Sequence, residues 1–135
     1  MPKLRLEDDG YCFACGKNNQ LGLKLKFTLD KENSLRTEFT FNKNHQGFKD
    51  VAHGGIIALI LDELMGNLCW KLGKNSIGAQ IEVRFKQPTF VGSTLYFKAW
   101  IEKEEKKIIY MRCEARNKDD RIVAFASGKA VKLND

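Results

Sequence analysis

The chain has 135 residues, 43% hydrophobic and 30% charged, which fits one domain able to bury a core without disulfide staples and argues against disorder. Its net charge of +6, from 23 basic and 17 acidic residues, is scattered and forms no arginine-rich run. A nucleic-acid partner is therefore disfavoured, and the excess suits either a polyanionic small molecule or a plain solvated surface. The longest purely apolar run, Ile56 to Leu61, falls far short of the roughly 20 residues a membrane helix needs. Met1 to Gly10 is polar and lacks a leader pattern, so a cytoplasmic protein with no membrane partner is expected.

In chain order, Cys12-Phe13-Ala14-Cys15-Gly16 comes first. This is half of a zinc-ribbon pattern, with no second pair to complete four ligands. The expectation is a structural turn and no bound metal, with metal and redox roles as the alternatives; Cys69 and Cys113 read as core. Leu21 to Leu29 alternates apolar with polar or small residues, which predicts a half-buried strand. Asp30 to Asn33 is a turn, and Leu35, Phe39 and Phe41 predict a hairpin partner. Asn42 to Ala52 is a polar loop.

From His53 the period changes. Ile56, Ile57, Leu59, Ile60, Leu61, Leu64, Met65, Leu68, Cys69, Trp70 and Leu72 point in nearly every direction around a helix, so that helix is expected to be buried. Asp50 is the expected N-cap and Gly73 the stop. The period of two returns at Ile81, Val83 and Phe85, at Leu95 to Ile101, at Ile109 to Ala115 and at Ile122 to Val131, with a charged turn at Glu102 to Lys107 and another at Asn117 to Asp120. The fold class is α+β: a curved antiparallel sheet wrapped around one long buried helix, in a single domain over 1–135.

Two features break the apolar logic of the helix. His53-Gly54-Gly55 puts two glycines at its start, at roughly 1 kcal/mol each relative to alanine. Glycine permits close approach, and the first N–H groups of a helix are unpaired and sit at its positive end. An oxyanion hole and tight packing against a strand are both open readings. Asp62-Glu63 lies amid apolar residues, where burial would make a carboxylate a better base; a carboxylate paired with a cation or a partner subunit is the other reading. Phe27, Phe39, Phe41, Phe85 and Phe97 fall on apolar strand faces and read as core rather than as base-stacking platforms.

His53-Gly54-Gly55 followed by Leu61-Asp62-Glu63 resembles the signature of hot-dog-fold acyl-CoA thioesterases of the phenylacetate-pathway (PaaI-like) type. Cys12 to Gly16 with Gly22-Leu23 resembles one branch of that superfamily, as does Val83-Arg84-Phe85 with Pro88 and Gly92. The resemblance implies hydrolysis of an acyl-CoA thioester to free acid and CoA, no cofactor beyond the CoA of the substrate, and a homodimer or dimer of dimers. It implies that the Gly54 N–H polarises the thioester carbonyl, that Asp62 activates water or attacks directly, and that His53 orients the thioester. Gly55, Glu63, Gln46, Gly47, Gly78 and Arg84 complete the expected substrate-binding set. Two positions depart from the pattern: Gly47 stands where relatives often carry Asn, with Gln46, His45 or Asn44 as substitutes, and Gly78 where they often carry Ser or Thr. A non-catalytic acyl-CoA-binding module is the alternative. A hydratase or dehydratase pairing His53 with Asp62 is a third reading.

Overall fold

The computed structural model describes residues 4–133. Six strands form one antiparallel sheet: β1 (Thr28–Leu29), β2 (Leu35–Thr40), β3 (Ser76–Phe85), β4 (Thr94–Glu105), β5 (Ile108–Arg116) and β6 (Ile122–Lys132). They lie in the spatial order β1-β2-β4-β5-β6-β3. The helix α1 (Gly54–Lys71) packs against every strand from β2 to β6. This is the α+β architecture expected, a sheet wrapped on one helix.

The sheet forms because β4, β5 and β6 alternate over most of their length: Leu95, Phe97 and Ala99, then Ile109, Met111, Cys113 and Ala115, then Ala124 and Ala126, all turn to the core and are at most 4% exposed. On α1 the buried residues are Ile57, Ile60, Leu61, Leu64, Met65, Leu68 and Cys69, a stripe at three- and four-residue spacing that meets that apolar face. Small residues on β6 let the helix come close. At Gly128 an added Cβ would lie 3.0 Å from Met65 Sδ.

The helix is not covered all round. Gly55, Asp62, Gly66 and Trp70 lie on an exposed strip in the single chain. This strip lies on the side away from the buried stripe. Gly73 ends the helix in the left-handed region, at φ 74°. Its N–H donates to Trp70 O and that of Lys74 to Cys69 O, the pairing that closes a helix C-terminus.

Four sequence expectations change. The strand over Leu21 to Leu29 shrinks to Thr28–Leu29. Residues before it form a folded loop in which Leu23 and Leu25 N–H donate to Phe13 and Ala14 carbonyls. Lys24 sits at φ 54°, which breaks a pleat. The N-cap is His53 rather than Asp50: Asp50 itself is left-handed and pairs with Lys43. The charged turn at Glu102 to Lys107 tightens to Lys106–Lys107, because β4 runs on to Glu105. Phe85, read as core, is 54% exposed, since β3 is an edge strand.

Leu64 is fully buried at the centre of the helix–sheet contact. Leu64→Ala is expected to lower unfolding free energy by about 2–5 kcal/mol, read from urea denaturation.

Candidate active site

The start of α1 divides its free N–H groups between two tasks. The His53 backbone is extended, and its Nδ1 accepts from the Gly55 N–H at 2.8 Å. His53 is thus a side-chain N-cap. A Cβ at Gly55 would stand 2.9 Å from His53 Nδ1 and Cε1, so a larger residue there would push the ring out of this position. With Nδ1 accepting, the proton of the neutral ring lies on Nε2, which stays a donor. The Gly54 N–H has no acceptor among the described residues. The ring of Phe85, on β3, lies 3.5 Å from where a Gly54 Cβ would be and walls this donor on one side. One unpaired backbone N–H at the positive end of an 18-residue helix is suited to hold a developing oxyanion.

Asp62 lies two turns further along, at the rim of a cleft of ≈ 480 Å³ between α1 and β3, where Gly78, Gln80 and Ile81 face it. It makes no hydrogen bond or ion pair among the described residues. Although exposed at the rim, its carboxyl is pushed above the usual range by desolvation. That places it on the proton-accepting side of ordinary carboxylates. Gly78 has nothing within 4 Å of a built Cβ, so a bound group has room beside the acid.

Glu63 borders the same cleft but is turned to the other side of the helix. Its Oε2 accepts from Cys12 Sγ at 3.5 Å and from Asn67 Nδ2. Burial, Glu63 and Cys12 together push the Cys15 thiol far above its ordinary value. The sequence did not signal this link, because Cys12 and Glu63 are 51 residues apart.

The remaining sequence candidates separate. Gly47 lies against the helix start: a Cβ there would lie 3.4 Å from His53 Cδ2, so a side chain at 47 would rest on the histidine. Gln46 and His45 are both engaged in loop structure. Gln46 Oε1 accepts from Asp50 N–H, and His45 Nδ1 caps a short 3-10 helix by accepting from Asn42 N–H. Burial pulls the His45 pKa down. Asn44 is exposed on that same turn. Arg84 lies exposed on β3, one residue before Phe85 and opposite Phe125 of β6.

A family model described as the thioesterase superfamily matches residues 49–124, a span that holds both the helix start and Asp62. The chain is 30% identical to the acyl-coenzyme A thioesterase THEM5 of Mus musculus over 89 residues, covering 65% of this chain and 36% of that protein. It is 26% identical to THEM4 of Bos taurus over 117 residues, or 84% and 48% of the two. The chain thus spans between about a third and a half of the length of these relatives. Among solved structures, a thioesterase superfamily protein superposes with TM-score 0.86 at 24% identity, over 91% of this chain and 61% of that one. The E. coli PaaI protein of the phenylacetic acid degradation operon superposes with TM-score 0.75 at 21% identity, over 82% and 84%. A hypothetical thioesterase from Streptococcus pneumoniae TIGR4, described with coenzyme A, gives 0.74 at 14%, over 82% and 91%. At these identities the structures speak for the fold.

The cap makes a separable prediction. His53→Ala should cost about 1 kcal/mol of stability by stranding the Gly55 N–H. His53→Asp, which restores an N-cap acceptor, should recover most of it; equal urea midpoints for His53→Ala and the parent would remove the capping role.

Proposed function

The chain belongs to the thioesterase superfamily, and on that premise we propose that it hydrolyses an acyl-CoA thioester to the free acid and CoA. The observation that carries this reading is Asp62, a carboxylate raised in pKa at the rim of a cleft along a helix whose first N–H, like the carboxylate, has no partner among the described residues. The Gly54 N–H donates a hydrogen bond to the thioester carbonyl oxygen. Asp62 takes a proton from water as that water attacks the carbonyl carbon. The tetrahedral oxyanion collapses, the C–S bond breaks, and the proton held on Asp62 goes to the departing CoA sulfur. Direct attack by Asp62 through an anhydride uses the same groups.

Two copies are needed for this arrangement. Gly54 and Asp62 are eight residues apart on one helix, ~12 Å of rise, whereas a base working through one water must lie within about 6 Å of the carbonyl. Trp70, Ile81 and Phe85 are 50%, 39% and 54% exposed along the open strip of α1 and on edge strand β3, a surface suited to a second copy of the chain. A homodimer with Gly54 from one subunit facing Asp62 from the other meets both demands, and a dimer of dimers preserves it.

Acyl-CoA binding without turnover is favoured by Gly47, beside His53, and Gly78, in the Asp62 cleft, which offer no side chain to hold a water. A panel of acyl-CoAs from short aliphatic through aryl to long-chain separates the readings, because a binding module releases no free CoA from any of them.

Asp62→Asn should cut kcat by about 10²–10⁴ with the fold retained. A dead Glu63→Gln beside an active Asp62→Asn would move the base to Glu63. Gly54→Pro removes the N–H at a helix position where proline is tolerated and should cut kcat by about 10²–10³. Mixing and reassembling these two inactive variants should restore about a quarter of parental activity, because one site of each mixed dimer carries neither change. No recovery in verified mixed dimers would confine the site to one subunit.

Arg84 and Lys86 lie exposed on and beside β3, with Lys98 on β4, and are proposed to meet the CoA phosphates. The Kd for an acyl-CoA should rise between low and high salt as screening shortens the reach of exposed charges to ~8 Å at physiological strength. A flat response would remove this phosphate site and leave the hydrolytic site untouched.

A further inference from the structure

The fold joins the Cys12–Gly16 turn to the side of α1 through a group of donors that hydrolysis does not use. One ligand atom from each of Cys12, Cys15 and Glu63 lies within 4.8 Å of the others. Cys12 Sγ and Glu63 Oε2 are 3.5 Å apart. With Zn–S of about 2.3 Å and Zn–O of about 2.0–2.2 Å, the sulfur–oxygen edge of a tetrahedral site is ~3.6 Å. The sulfur and oxygen already stand at ligand separation.

The turn is built to hold that separation. The Cys15 N–H donates to Cys12 Sγ at 3.4 Å, and the Gly16 N–H donates to Cys12 O at 2.8 Å. A Cβ at Gly16 would stand 2.5 Å from Cys12 N, so only glycine closes the turn so tightly. Asn67 holds the carboxylate from the next turn of α1 and reaches to 3.9 Å from Cys15 Sγ, as an outer partner fixes a ligand. The hydrogen-bond partners of Glu63, Cys12 and Asn67, are both uncharged, and no cation among the described residues pairs with it. A cleft of ≈ 410 Å³ opens over both sulfurs and Glu63, and Glu7, Asp8 and Asp9 line it. A cation thus has an acidic way in, and solvent has access to a fourth position.

We propose that Cys12, Cys15 and Glu63 bind one thiophilic divalent cation, Zn²⁺ foremost, with solvent as its fourth ligand. Each thiol gives up its proton to solvent as its metal–sulfur bond forms; no oxidant or reductant is involved. Ligands counted along the chain stop at two, and the helix supplies the third from 51 residues away. The bound cation fastens residues 10–25 to the middle of α1, beside the residue that faces the β3 cleft.

The test is a titration of the reduced, chelator-stripped protein with Co²⁺, followed by competition with Zn²⁺. One Co²⁺ per chain should bind with a thiolate-to-cobalt charge-transfer band that one equivalent of Zn²⁺ removes, and Zn²⁺ should raise the thermal midpoint. Cys12→Ser with Cys15→Ser should abolish the band. Glu63→Gln, which preserves size and folding, should weaken binding at least about 10-fold, since losing even an outer partner costs that much. Absence of the band at saturating Co²⁺, a band unaffected by Glu63→Gln, or a Cys12–Cys15 disulfide in protein kept under reducing conditions would each overturn the proposal.

Discussion

Burial of the stripe from Ile57 through Leu64 to Leu68 against the sheet fixes how α1 is rotated, and the rest of the molecule follows from that rotation. Each fully buried leucine or isoleucine contributes roughly 1.5–3 kcal/mol relative to exposure, so turning the helix by even one residue position would expose several at once. With the stripe held inward, Asp62 must face β3 and Glu63, about 100° further round, must face the N-terminal loop. The chemistry of both carboxylates is a consequence of where the neighbouring leucines have to go.

The same rotation sets His53 and the two glycines at the exposed start of α1, beside Phe85 of β3. A helix start carries several unpaired donors, and leaving them all unmet would cost stability. Here the His53 imidazole satisfies the second and leaves the first. Desolvation raises Asp62 two turns further along the helix. Neither group is strained: each is an ordinary residue denied an ordinary partner.

Much of this could be read from residues alone. The alternation in β4, β5 and β6 and the break in period at His53 mark the sheet and helix directly, because both periods report burial. The HGG triplet coincides with the start of α1, and the LDE triplet holds the carboxylate at the rim of the β3 cleft. What failed was local in appearance and tertiary in cause. Leu21 to Phe27 alternates like a strand, yet Gly22 lies so close to Phe13 O that its missing Cβ would be 2.3 Å away, and the segment folds onto the cysteine turn instead. Asp50 has the chemistry of a cap, but its left-handed backbone sets it apart from the helix. The meeting of Cys12 with Glu63 has no local signal at all, since it depends on how far the helix is turned.

Gly128 has a longer reach than its size suggests. Its bare backbone sits under Met65 at the floor of the β3 cleft, 3.5 Å from Gln80 O as measured from the missing Cβ. Even a methyl there would press on a flexible thioether that has only the cleft to move into. A single change on β6, the strand next to β3, could therefore reshape the space available to a ligand tail while leaving Asp62 and the helix start where they are. Divergence in the breadth of accepted chains would then be open to drift at a position that touches neither the reacting atoms nor the charged rim.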